Sequence, residues 1–253
     1  MSSAVIRLIT RGDDAGTNHT ANVAIRDAFR HGILRNTSVM APCAAVEEAA
    51  ALLAREKGLC CGLHATITAE WDHVRWGPVL PPNRVPSLVD QHGHFFQTTR
   101  ALHQNAPRLE EILAELQAQL HRLRSLGFHV HYADLHMGFG WVAEGLEEAF
   151  AAWCAQEGLI VGHRGYRRLP SLAEANDPVE ALIAALRAAE PGTYLLVGHP
   201  AYDTPEMRAL GHEGYPGEVV ASGRDWQRRL FMDPRVLAAC HQLGVQPIRY
   251  DEA

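Results

Sequence analysis

Short β-prone apolar runs alternate along this chain with longer stretches of helical spacing. Val5 to Thr10 predicts a first strand, and Arg11 to Gly16 a polar turn behind it. Residues 19–31 predict a helix on the apolar positions Val23, Ile25, Ala28 and Phe29. Asn36 to Met40 predicts a second strand, and residues 44–57 a helix stopped by Gly58. Leu59 to His64 predicts a third strand, apolar nearly throughout, as suits a strand covered on both faces. The rhythm breaks over residues 65–107, which hold Pro78, Pro81, Pro82 and Pro86; this long loop reads as an insertion over the mouth of the fold. It then resumes with a helix over 107–126, a strand over 128–135, a helix over 144–157 and a strand over 159–162. A helix over 178–190, a strand over 193–197, a helix over 223–242 and a last strand over 246–250 complete the pattern.

Strands and helices alternating over 253 residues predict a single α/β domain spanning 1–253. The expected architecture is a (β/α) barrel-like fold related to distorted TIM-type barrels. A doubly wound open sheet is the alternative that periodicity leaves open. In either fold, chemistry collects at the carboxyl ends of the strands.

Four predicted strand ends carry polar candidates: Asp13 and Asp14, then His64, then Asp134 and His136, then His199. One carboxylate with two imidazoles can hold a divalent metal and leave positions open. A second carboxylate beside the ligand can act as general base, and a further histidine as general acid. Each residue also has a plainer role. An Asp pair after a strand caps helices and turns, with Asp14 well placed to do so. A histidine after an apolar strand packs and hydrogen-bonds, and Asp134 can serve to orient a ligand histidine. His129 and His131 fall on the other face of the strand that leads to His136 and are expected to point outward.

Composition narrows the classes. Twenty-three basic against 29 acidic residues give a net charge of -6, which argues against a nucleic-acid binder. Lys57 is the only lysine, so Schiff-base and P-loop chemistry are disfavoured. The five cysteines form no C-x-x-C pair, consistent with a reducing compartment. The first residues lack the basic start, apolar run and cleavage site of a secretory leader, and no stretch reaches the length of a membrane span. A cytoplasmic protein without a membrane partner is expected. No G-x-S-x-G elbow and no H-E-x-x-H helix occurs. Fifteen histidines are many, and the strand-end rule selects three of them.

The order of the segments resembles the YdjC-like (ChbG/HpnK) carbohydrate deacetylases. The likeness is carried by Asp13-Asp14-Ala15-Gly16, by Gly32 to Met40, by Gly62-Leu63-His64, by Val85 to Asp90 with Gly93 and Phe95, by Asp134-x-His136 and by His199-Pro200. The resemblance implies removal of an N-acetyl group from an amino sugar or oligosaccharide by metal-activated water. It implies a metal on Asp14, His64 and His136, with Asp13 as base and His199 as acid. One divalent ion, zinc or magnesium, is implied; the two imidazoles favour zinc. It also implies a homodimer. The chain departs from the family pattern at Arg11, Gly12, Ala15, Gly138 and Ala201. Arg11 is expected either to bind an anionic substrate group or to hold Asp13 ionised. Trp141 and Tyr202 are placed near the mouth, where an aromatic ring can stack on a sugar or simply pack. Two other classes stay open: a non-catalytic relative that binds a sugar or other small ligand, and a metal-dependent barrel isomerase.

Overall fold

β1 (Ile6–Ala15) is the spine of a wholly parallel sheet of eight strands. The others are β2 (Asn36–Val39), β3 (Cys60–Ala65), β4 (Val130–Leu135), β5 (Ile160–Val161), β6 (Arg167–Arg168), β7 (Gly192–Gly198) and β8 (Gln246–Ile248). Their order is β5-β4-β3-β2-β1-β7-β6, with β8 also paired to β1. The computed structural model describes residues 5–172 and 175–253.

Nine α-helices flank the sheet among these residues. They are α1 (His19–His31), α2 (Val46–Leu53), α3 (Thr99–Gln104), α4 (Leu109–Ser125), α5 (Leu146–Gln156), α6 (Pro178–Ala188), α7 (Pro205–Arg208), α8 (Gly217–Met232) and α9 (Pro234–Leu243). The sheet curls into a half-barrel. Gly162, just after edge strand β5, reaches back across the interior: its carbonyl accepts from Arg11 Nη1 on β1 at 3.1 Å and from the Tyr250 hydroxyl at 2.6 Å. The interior is filled by Ile9, Cys60, Tyr132, Leu195, Ile248 and Tyr250, and the larger apolar core lies between sheet and helices. Gly62 makes room for this filling: a Cβ there would lie 2.4 Å from the Tyr132 ring. The architecture is thus the distorted (β/α) barrel expected.

Two local expectations are corrected, and one strand is added. The predicted turn at Arg11–Gly16 is mostly strand, because β7 pairs with β1 up to Gly12 and β2 pairs with it up to Ala15. The single helix predicted over 223–242 is two. Pro234 lacks the N–H needed to continue α8, and the Asp233 side chain caps α9 by accepting from Arg235 N at 2.8 Å. β6, two exposed arginines, has no apolar pattern and was not expected.

Residues 65–107 lie against α4 through its buried polar face. Glu115 accepts from Val79 N and Leu80 N at 2.8 and 3.0 Å. Gln119 bonds both backbone groups of Thr66, and Glu111 accepts from Ser87 N at 2.8 Å. These three positions recur every four residues, so one helix face satisfies the loop's backbone donors. Burial raises the Glu115 carboxyl above its ordinary value, with the bonds from Gln119, Leu80 and Val79 opposing. All five cysteines are buried and free. No described helix is long and apolar enough to cross a membrane.

Candidate active site

The carboxyl end of β1 carries a β-bulge. Gly12 pairs with Thr37 and Ala15 with Val39, so β1 spends one more residue than β2 over this step. Asp14 takes the slack with φ +68, a left-handed backbone uncommon for a residue other than glycine. Regular alternation would send two adjacent side chains to opposite faces. Here Asp13 and Asp14 are both buried and both line one cleft of about 490 Å³.

His64 is the last residue but one of β3, opposite Asp134 of β4. Its Nδ1–H donates to Asp134 Oδ2 at 2.8 Å, which turns Nε2 inward. His136 follows β4, where Met137 and Gly138 both adopt left-handed backbone. Its Nε2–H donates to Glu70 Oε2 at 2.9 Å, which turns Nδ1 inward. Both orienting partners are carboxylates, the arrangement that fixes the tautomer of metal-ligating histidines. The two inward nitrogens are 3.2 Å apart and lie 3.4 and 3.7 Å from Asp14 Oδ1.

This trio fits a divalent cation on three counts. Asp14 Oδ1 is buried and has no hydrogen-bond partner. The separations resemble those between ligands about 2.0–2.2 Å from a tetrahedral ion, roughly 3.3–3.6 Å. Finally, the four carboxylates of Asp13, Asp14, Asp134 and Glu70 meet two guanidiniums, Arg11 and Arg224, besides the imidazoles of His64 and His136, so a dication would balance the cluster. Asp13, His64 and Asp134 also lie together, but Arg11 and the His64–Asp134 bond already occupy those atoms.

The surrounding charges act strongly on these groups. Burial alone would raise the Asp14 carboxyl, but Arg224, His64, His199 and His136 outweigh it and hold it well below the carboxylate range. Asp134 is likewise lowered against burial, by Arg11, His64 and Ser38. Burial would lower His64, yet Asp134, Asp13 and Asp14 raise it well above the ordinary imidazole value. His199 goes the other way. Burial lowers it, Asp14 and Asp13 oppose, and Arg224 and His64 add to the lowering. Gln227 Oε1 accepts from both the backbone N–H and the Nδ1–H of His199, leaving Nε2 unbonded.

Arg11 is committed within the protein. It grips both oxygens of Asp13, at 2.6 and 2.8 Å, and reaches Asp134 at 3.1 Å. Of its two expected roles, holding Asp13 is the one this geometry serves. Trp141 does not line the cleft; it is 53% exposed and packs beside His103. Tyr202 does not line it either, since its hydroxyl donates to Asp27 at 2.7 Å and Arg228 lies over its ring. The aromatic wall comes instead from Trp71, stacked on His212, and from Tyr215. Glu70, Trp71, Arg224 and Gln227 were not foreseen. Arg224 alone had a legible signal: it shares the buried face of α8 with Val220 and Ala221. His129 and His131 pair with each other away from this cleft.

Fold and site together define a barrel protein with a candidate metal centre at the carboxyl ends of its strands. The model of the family described as YdjC-like protein matches residues 7–242, and the chain belongs to that family. A protein named carbohydrate deacetylase from Geobacillus stearothermophilus is 33% identical over 260 residues, covering 96% of each chain. One of the same name from Thermus thermophilus is 31% identical over 228 residues, covering 80% of each. A chitooligosaccharide deacetylase from Serratia marcescens is 32% identical over 120 residues, 47% of this chain and 44% of that one. A crystal structure from Enterococcus faecalis V583, named for cellobiose-phosphate cleavage, shares the fold with a TM-score of 0.83 at 21% identity, covering 98% of both chains.

Proposed function

We propose that this protein is a divalent-metal-dependent hydrolase that removes an N-acetyl group from an amino sugar or its oligomers. The observation that carries the metal part is the inward-facing trio of Asp14 Oδ1, His64 Nε2 and His136 Nδ1, the first of which makes no hydrogen bond among the described residues. The carbohydrate part rests on the names of the relatives. Zinc is the preferred ion. Two imidazoles in the ligand set suit a softer ion than magnesium.

When bound, such an ion polarises the amide carbonyl and lowers the pKa of an adjacent water. Asp13 then takes the proton of the attacking water. Arg11 occupies one lone pair on each Asp13 oxygen and leaves the others available, while fixing the carboxylate's direction. Arg224 holds Asp14 Oδ2 at 2.7 Å, so that Oδ1 alone is free to act as ligand. His199, protonated at Nε2, hands its proton to the departing amine, which is otherwise a poor leaving group. Its lowered affinity for protons makes that hand-over easy. The test is acetate release from N-acetylated chitooligosaccharides by wild type and by His136→Ala. Loss of both bound zinc and turnover in the variant is expected. Wild-type metal content in the variant would remove His136 from the site.

A further inference from the structure

Two buried donors on one wall of the cleft have no acceptor. Trp71 is 5% exposed and its Nε1–H makes no hydrogen bond. Arg224 is 9% exposed; its Nη2 is held by Asp14, but its Nη1 has no partner. The guanidinium carbon lies 5.8 Å from the centre of the Trp71 ring, so the two donors belong to one patch. Buried indole and guanidinium N–H groups normally find acceptors, because leaving them unmade forfeits their hydration. Both residues line the cleft that holds the Asp14–His64–His136 trio. Both also line a side chamber of about 280 Å³, which shares His199 and Tyr215 with the cleft and adds Gln227. Among the described residues, no carboxylate lines that chamber. Water can serve these donors in the free protein, and a ligand oxygen entering the chamber can take its place.

The identity of that acceptor follows if the deacetylase reading holds, and this step rests on it. The acyl oxygen belongs beside the trio and the amide nitrogen beside His199. The next acceptors on such a sugar are the oxygens on the two ring carbons flanking the nitrogen-bearing carbon. We propose that Trp71 Nε1–H and Arg224 Nη1–H together bind a hydroxyl or glycosidic oxygen of the sugar next to its acylated nitrogen. They thereby select a sugar in which N-acyl and oxygen substituents are vicinal. One planar guanidinium then spans Asp14 and the sugar, which sets the amide's position against the reacting groups. The aromatic face of Trp71, backed by His212, orients the N–H rather than serving as a stacking platform.

The experiment follows the indole N–H of Trp71 by nitrogen-15 NMR in the full-length protein, assigned by its loss in Trp71→Phe. N,N′-diacetylchitobiose is added to saturation, and acetate release with zinc is measured on the same preparations. The indole proton should shift downfield on binding. Trp71→Phe keeps the ring and removes the N–H, and should weaken the sugar's Kd by about 5–30-fold. The deoxy analogue that lacks the contacted oxygen should bind wild type and variant alike. A downfield shift without acetate release would uphold the donor pair and sink the deacetylase reading. Acetate release with an unmoved indole resonance, or a wild-type Kd in Trp71→Phe, would overturn the donor pair and leave the reaction standing. A sugar that neither binds nor turns over would count against both.

Discussion

Replacing Asp134 by asparagine should weaken metal binding without touching a ligand atom. Asp134 is buried, accepts two hydrogen bonds, from His64 Nδ1 at 2.8 Å and from Ser38 Oγ at 2.6 Å, and forms an ion pair with Arg11 Nη2 at 3.1 Å. Arg11 and His64 keep it ionised against the cost of burial. An asparagine keeps the shape but loses the charge, and can meet Nδ1 with either its oxygen or its amide hydrogens. In the second case His64 must carry its proton on Nε2, where a cation would bind. Loss of such an orienting carboxylate elsewhere lowers metal affinity by about 10–100-fold, equivalent to roughly 1.4–2.7 kcal/mol. Zinc Kd measured against a competing chelator is the assay, with urea unfolding to establish that the variant is folded. A folded Asp134→Asn protein with the wild-type zinc Kd would refute the claim that this bond sets the ligand tautomer.

Other outcomes follow from the same geometry. Asp13→Asn should lower turnover by about 10²–10⁴-fold with zinc content unchanged; loss of zinc would make Asp13 a ligand instead. If His199 must be protonated to act, kcat/KM should be present below its pKa and fall as pH rises through it. Burial places that descending limb below the ordinary 6.5. His199→Ala should abolish the limb, and an unchanged profile would exclude it as the acid. Glu115→Ala should strand the N–H groups of Val79 and Leu80, costing about 1–3 kcal/mol for each. The urea midpoint would report this, and an unmoved midpoint would show that residues 65–107 are held by other contacts.

The strand ends were legible because parallel strands covered on both faces leave short apolar runs, and polar residues that follow them stand out. His64, Asp134 and His136 emerged that way. The Asp13–Asp14 pair is different. Alternation gives one inward and one outward side chain, and only the bulge with Asp14 in left-handed backbone brings both inward. No periodicity encodes that step. Glu70 and Trp71 come from a segment without periodic pattern, anchored through buried polar groups of α4. Their proximity to β4 and α8 exists only in the folded chain. Tyr202 and Trp141 lay near strand ends in sequence, but partners elsewhere take up their rings and polar atoms. The α8–α9 break was missed in the single helix expected over 223–242, although Asp233-Pro234 carries its local signal, a cap followed by a proline.

On this reading the Asp14–His64–His136 cluster holds an ion required to cleave an N-acetyl amide on a sugar. The most direct measurement is acetate release from N-acetylated chitooligosaccharides by protein stripped with chelator, before and after stoichiometric zinc is restored. Stripped protein should release none, and release should recover fully at about one zinc per chain. Undiminished release after stripping, or none with zinc or any other divalent ion, would contradict it.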